Sequence, residues 1–267
     1  MGALSPGQLV TQLSEALAPR GFDIISPLAL SWYNDSLPGT LSSNRIRPAG
    51  RAGSAAFAVL VGSSAVLWRA FLQHCAANGE WAALPHPLEA YVECAVSAVL
   101  ASLPQPPARV VWSHSQTDCL AGEAPGYVAM QRAAVAAGTA WLDPCSHLLV
   151  HPRHGPWLSL RCLLLFDDLA WAEAQPPPLP CPLAPGVQQA VRARFEAALH
   201  ATSRGSIPQR DQVQRVWEMW VATREALSPG DTRVAMAWRL RGSLRQCTAG
   251  TGHMSAPQSS IDGLVAS

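Results

Sequence analysis

Helix openings marked by proline and serine, alternating with short apolar runs, limit most strongly what this chain can fold into. Ser5-Pro6 sets an N-cap and a first-turn proline ahead of Leu9, Leu13, Ala16 and Leu17, which share one helical face before Gly21, so a first helix is predicted there. Residues 55–61 form a continuous apolar run that reads as a strand, and Ser63 and Ser64 read as the cap of a helix reaching Gly79. Pro87 opens a helix that Pro104 ends, Arg109–Trp112 resumes an extended pattern, and Pro125 is read as opening a helix through Gly138. That last segment is rich in Ala and Gly, which leaves a face with little side-chain bulk. Residues 147–151 and 157–166 are predicted as adjacent strands of a hairpin, joined by the turn 152–156.

Residues 22–33 are apolar and partly β-branched, with Pro27 fitting an edge or bulged strand. The connection 34–53 is too long for an idle turn and is either a lid over a site or an unordered insertion. A proline-rich surface connection, 173–186, leads into a helix from Val187 to about His200. A further helix, 212–227, carries Val213, Val216, Trp217, Trp220 and Ala226 along a stripe and is expected to form an αα-hairpin with the segment capped at 228–231. Residues 1–245 are read as one domain, and 246–267, rich in Gly, Ser, Thr and Pro, as a disordered tail.

The 19 basic residues, all Arg, nearly balance 18 acidic ones, so a polyanionic partner such as nucleic acid is not indicated. Any anion site must be built from Arg or backbone amides, which favours planar carboxylates or phosphates. Seven Cys make an odd count with no CxxC pair. Together with the lack of a signal-peptide pattern and of an apolar run long enough to span a bilayer, this leads to the expectation of a reducing, cytoplasmic location. His147, His151 and His154 lie close in sequence but have no fourth ligand at zinc spacing, so no metal is expected. Neither GxSxG, GxGxxG nor GxxxxGK[ST] occurs, which removes support for a serine hydrolase elbow, a Rossmann site or a P-loop.

The segment His151-Pro152-Arg153-His154-Gly155-Pro156-Trp157, followed by Arg161, resembles the HPR-x-G-x-W-x-x-x-R stretch of the cobalamin-processing family of type C methylmalonic aciduria and homocystinuria. Gly21-Phe22 with Trp32-Tyr33-Asn34 resembles the family's first strand, Phe71-Leu72-Gln73 with Cys75 its next helix, and residues 128–138 its corrin-facing helix. These stretches occur in order between about residues 9 and 240. The resemblance implies an α+β fold similar to flavin nitroreductases, with a mixed, mostly antiparallel sheet flanked by helices. It implies cobalamin bound base-off, decyanation with electrons from FAD or FMN, and dealkylation by glutathione. The corresponding enzyme would be a cyanocobalamin reductase and alkylcobalamin dealkylase.

On the same basis the corrin contacts fall at Ser113, Val128, Ala129, Met130, Gln131, Leu142, Asp143, Leu149 and Leu160, and the glutathione contacts at Arg161, Arg204 and Arg233. Three Arg suit a tripeptide with two carboxylates, because guanidinium pairs them bidentately. The sequence departs from the family at Val135, where a His stands, at Trp141 and Leu142, where tyrosines run, and at Ser203, where a Tyr stands. Those losses keep two alternatives open: a non-catalytic cobalamin chaperone of the same fold, or a flavin reductase with another substrate. Handover to the type D cobalamin-trafficking protein, and a monomer or ligand-dependent homodimer, are further expectations from the resemblance.

Overall fold

In the computed structural model, which describes residues 4–104, 107 and 109–203, six strands are present: β1 (Ile24–Ala29), β2 (Ala56–Ser63), β3 (Arg109–Trp112), β4 (Trp141–Leu142), β5 (Leu149–Val150) and β6 (Ser159–Ala170). Four of them form an antiparallel sheet in the order β1-β2-β6-β3, and β4 pairs antiparallel with β5 in a small second sheet. The continuous apolar character of β2 and of the middle of β6 follows from burial on both faces. Ala56, Ala58 and Leu60 join Val111, Leu163 and Leu165 on one side, while Phe57, Val59 and Val61 join Cys162, Leu164 and Phe166 on the other.

The second of these faces is covered by α1 (Pro6–Leu17), α3 (Val66–Ala77) and α4 (Pro87–Ser102). Ser5 and Gln8 form a reciprocal capping box at the start of α1, whose Leu9, Leu13 and Leu17 are fully buried. The first face is covered by α2 (Leu30–Asp35), α5 (Met130–Ala136) and the connections around them. The last helix among the described residues, α6 (Pro185–Ser203), lays Val187 and Val191 on Trp141 and Val150 of the small sheet and on the adjoining Leu148. No helix among the described residues is long and apolar enough to cross a membrane.

Several local readings are corrected. Residues 30–33, read as the end of a strand, and the first two residues of the connection form a helix: Tyr33 is fully buried and donates to the Asn44 carbonyl (2.8 Å), and such tertiary anchoring outweighs the weak helix propensity of LSWYND. The N-cap of α3 is Ala65 rather than either serine; Ser64 Oγ still accepts from the Val66 N–H (3.4 Å) at the first residue of the helix, but Ser64 is chiefly bonded to Asp23 and Ser63 accepts from Arg161. The helix expected from Pro125 begins only at Met130, because Gly126 is bridged to Thr117 and holds the preceding segment extended. The hairpin expected across 152–156 exists only as the His151–Gly155 bridge. Beyond it the strands part, β5 to β4 and β6 to the main sheet between β2 and β3.

The connection 34–53 is packed as a strap. Asn34 exchanges two hydrogen bonds with the Ile46 backbone, both 2.9 Å, and Ile46 is fully buried and bridged to Leu120. Arg47 N–H donates to the Cys119 carbonyl, Ala121 N–H to the Arg45 carbonyl and Ala52 N–H to the Asp167 carbonyl. The helix expected over 212–227, its hairpin partner, the tail 246–267, Arg204 and Arg233 lie outside the described residues.

Candidate functional site

Six of the side chains expected at a corrin, Val128, Ala129, Met130, Leu142, Leu149 and Leu160, belong to one apolar cluster on the α5 face of the sheet. Their exposure divides them. Val128, Met130 and Leu149 are buried, whereas Ala129, Leu142 and Leu160 are half-buried at the margin. The alanines of α5 are placed likewise: Ala133, Ala134 and Ala136 are buried. Their small size therefore lets the helix approach the sheet closely, rather than presenting an open platform as the sequence led us to expect.

Gln131 is exposed and its Nε2 donates to the His147 carbonyl (2.7 Å), tying α5 to the β4–β5 turn. His147 is the one non-glycine residue with positive φ (54°) among the described residues, so that carbonyl is held by a sharply turned backbone. Asp143 is buried and accepts from both Ser146 N–H (2.8 Å) and Ser146 Oγ (2.5 Å). It stabilises the turn from within. Ser113 is half-buried at the end of β3, its N–H donating to the Arg161 carbonyl (2.9 Å).

Arg161 stands one residue from Leu160 at a β-bulge. Val61 pairs with Cys162 and Gly62 with Leu160, so Arg161 is the extra residue between them. The bulge re-aims its side chain, and Nε donates to Oγ of the fully buried Ser63 (3.2 Å). Immediately after β2, Ser64 donates through N–H (2.7 Å) and Oγ (2.5 Å) to the Asp23 carboxylate, which lies 3.8 Å from His154 Nε2. Ser63, Ser64 and Asp23 were missed in the sequence. The two serines carried a capping signal that the structure redirects, and Asp23 has no local pattern at all.

The three histidines of the motif region serve this turn. His151 Nδ1 accepts from the Arg153 and His154 N–H groups (3.0 and 3.3 Å), and the His151 and His154 rings lie 4.6 Å apart. Among the described residues, no group of three metal-ligating side chains converges. Burial, reinforced by His154 and Arg153, pulls His151 down to about 4 despite the opposing pull of Asp23. Its neutral form is thus the one the fold prefers, and protonation favours the unfolded chain. The resulting stability is fully present above the ordinary imidazole value near 6.5 and is lost as pH falls from there towards 4. Urea midpoints measured across this range should decline, and His151→Gln should flatten that part of the profile; an unchanged slope would show that His151 does not carry it.

Tyr33 joins the strap to the start of α5. Its hydroxyl accepts from the Ala129 N–H (3.1 Å) while donating to Asn44, and Asn44 Nδ2 in turn donates to the Tyr127 carbonyl (2.8 Å). Burial pushes Tyr33 up to about 12, so it remains a donor across the physiological range. Sequence reading placed Tyr33 only in a supposed strand, and the signal for this role is tertiary.

No family model matches the chain, and no curated protein matches it. Among solved structures, the chain is similar to the crystal structure of a Caenorhabditis elegans B12-trafficking protein, CblC, a homologue of human MMACHC. The TM-score is 0.57 and the sequence identity 15%, over 93% of this chain and 99% of that one. At this identity the likeness shows the fold: the α+β arrangement expected from the sequence, an antiparallel sheet flanked by helices as in flavin nitroreductases.

Proposed function

We propose that this chain binds cobalamin base-off and removes its upper axial ligand. The observation that carries the reading is the end-to-end likeness in fold to a B12-trafficking protein, joined to the convergence of Ala129, Leu142 and Leu160 at the margin of one apolar face. A corrin is a flat, largely apolar disc fringed with amides. It suits a margin of half-buried apolar side chains backed by a firm floor, here Val128, Met130 and Leu149. Gln131, whose amide nitrogen is committed to His147, offers Oε1 as an acceptor for a corrin amide. Val135, half-buried on α5, replaces a His of the family, so α5 offers no imidazole for a cobalt–histidine bond, which fits the base-off form.

For dealkylation, Arg161 is assigned to a glutathione carboxylate, with Arg204 and Arg233 as further candidates from the resemblance. A guanidinium beside the tripeptide holds it by charge-assisted hydrogen bonds and favours thiolate over thiol, the form that attacks a cobalt-bound carbon. Decyanation takes electrons from a reduced flavin, FAD or FMN. The described residues offer no glycine-rich phosphate loop for it. A cytoplasmic location and handover to a type D trafficking partner complete the reading.

Glutathione-driven conversion of methylcobalamin tests the proposal. Arg161→Gln is expected to weaken glutathione use by about 10- to 150-fold, the equivalent of a charged hydrogen bond of about 1.5–3 kcal/mol, with direct cobalamin binding much less affected. Equal loss of both would make Arg161 a structural or corrin-contacting residue. Binding without any conversion would favour the chaperone, supported by the loss of polar groups at Val135 and Leu142.

A further inference from the structure

Two thiols, neither of them among the residues assigned to cobalamin, are held from one face of α6. Arg192 Nε donates to Cys145 Sγ (3.0 Å), and Gln188 Nε2 donates to Cys181 Sγ (3.1 Å) as well as to the Leu183 carbonyl (3.1 Å). Gln188 and Arg192 are four residues apart, about one turn of the helix, so the two donors share one face of α6 with their backbones about 6 Å apart along its axis. Cys145 belongs to the β4–β5 turn and is half-buried, and Cys181 is exposed in the proline-rich connection before α6. Both are free thiols. Cys119 and Cys162, by contrast, are sealed in the core, where burial pushes the Cys162 thiol up.

From this pairing we infer that Cys145 and Cys181 form a dithiol modification site that a small-molecule disulfide such as oxidised glutathione converts to an intramolecular disulfide. The Cys145 sulfur, as thiolate, attacks one sulfur of the small disulfide; a Cys145–glutathione bond forms and one reduced glutathione leaves. The Cys181 thiolate then attacks the Cys145 sulfur, forming the Cys145–Cys181 bond and releasing the second. Two thiol protons pass to the two glutathione thiolates, the protein loses two electrons and the small disulfide gains them.

The Arg192 guanidinium supports the first step, since a donor on the attacking sulfur helps to carry its negative charge. Closure requires Cα atoms within about 4.4–6.8 Å, so the exposed connection bearing Cys181 would have to carry its thiol to Cys145. The bond would clip that connection to the β4–β5 turn, whose His147 carbonyl Gln131 holds. An exposed bond of this kind is reducible, as a switch in a reducing compartment must be.

The inference does not depend on cobalamin binding. The test is to hold the full chain in buffers of graded glutathione-to-disulfide ratio, block remaining thiols by alkylation and map peptides by mass. A linked Cys145–Cys181 peptide is expected, reversed by excess dithiol reductant. In Cys181→Ser a glutathione adduct should accumulate at Cys145, and Arg192→Gln should slow its formation about tenfold at neutral pH. Thermal melts show that each variant is folded, and Cys145→Ser serves as the mirror variant. Pairing of Cys181 with another cysteine, or modification of Cys94 while Cys145 stays unreacted in folded Cys181→Ser, would overturn the inference.

Discussion

Asp167→Ala is expected to cost about 3–5 kcal/mol of folding free energy, among the largest effects a single side chain here can have, because it strands a cation at the edge of the core. Asp167 is only 4% exposed, on β6, and accepts two bonds from Arg109 of β3, from Nε at 2.7 Å and from Nη2. Arg109 Nη1 also donates to the Arg47 carbonyl (3.1 Å), and the Asp167 backbone carbonyl accepts from Ala52. The pair therefore joins two strands and the strap that reaches α5 through Tyr33. Asp167→Asn, which keeps shape and one acceptor, should lie between wild type and Ala. Arg109→Met combined with Asp167→Leu should recover much of the loss, since replacing both charges removes the stranded one. Urea unfolding of the four proteins measures this, and a cost under about 1 kcal/mol for Asp167→Ala would show the pair to be solvated.

Gly21→Ala is expected to be comparably damaging, by about 2–5 kcal/mol, for two separate reasons. The residue ends the turn after α1 with φ of +90°, a conformation costly for any side chain. Its backbone also lies against α3 so closely that a Cβ would sit 2.5 Å from the Leu67 Cα and 3.1 Å from the Leu67 nitrogen. Backbone cannot swing aside as a side chain can, so α1 and α3 must separate and expose Leu17 and Leu67, both fully buried. Gly7→Ala is the control. Nothing lies within 4 Å of its added Cβ, and the change should be neutral or stabilise α1 by up to about 1 kcal/mol. Matching melting temperatures for the two variants would refute the close-approach argument.

What could be read from the sequence was whatever is decided locally. Ser5-Pro6, Pro87 and the apolar runs of β2 and β6 mark their elements because capping, proline geometry and continuous hydrophobicity act within a few residues. Elements settled by distant partners were not legible. The six residues of α2 are helical because Tyr33 meets Asn44 and Ala129, and β4 and β5, two residues each, exist because they pair with one another. The separation of β5 from β6 after the His151 turn is likewise a matter of non-local pairing: β2 and β3 take both edges of β6. At the candidate site, sequence reading named Arg161 and the α5 residues as expected contacts. It did not show that half of the apolar set forms floor rather than surface, because face and depth depend on how closely α5 approaches the sheet.

The same distinction bears on activity. The polar chain from Arg161 through Ser63 and Ser64 to Asp23 and His154 is assembled from the residue before β1, the end of β2 and the residue after it, β6, and the turn after β5, four separate stretches of sequence. It ties Arg161 to Ser63 through Nε, while Leu160, its neighbour in sequence, joins the apolar cluster of the proposed corrin face. The proposed ligand removal by a thiol therefore turns on whether the Arg161 guanidinium takes a glutathione carboxylate.

The central claim, that this fold holds cobalamin base-off, is tested most directly by titrating the full-length protein into methylcobalamin and following the visible corrin spectrum. The account predicts a saturable shift to the base-off form at one cobalamin per chain, in the absence of glutathione and flavin. A spectrum that stays base-on through a large excess of folded protein would contradict it.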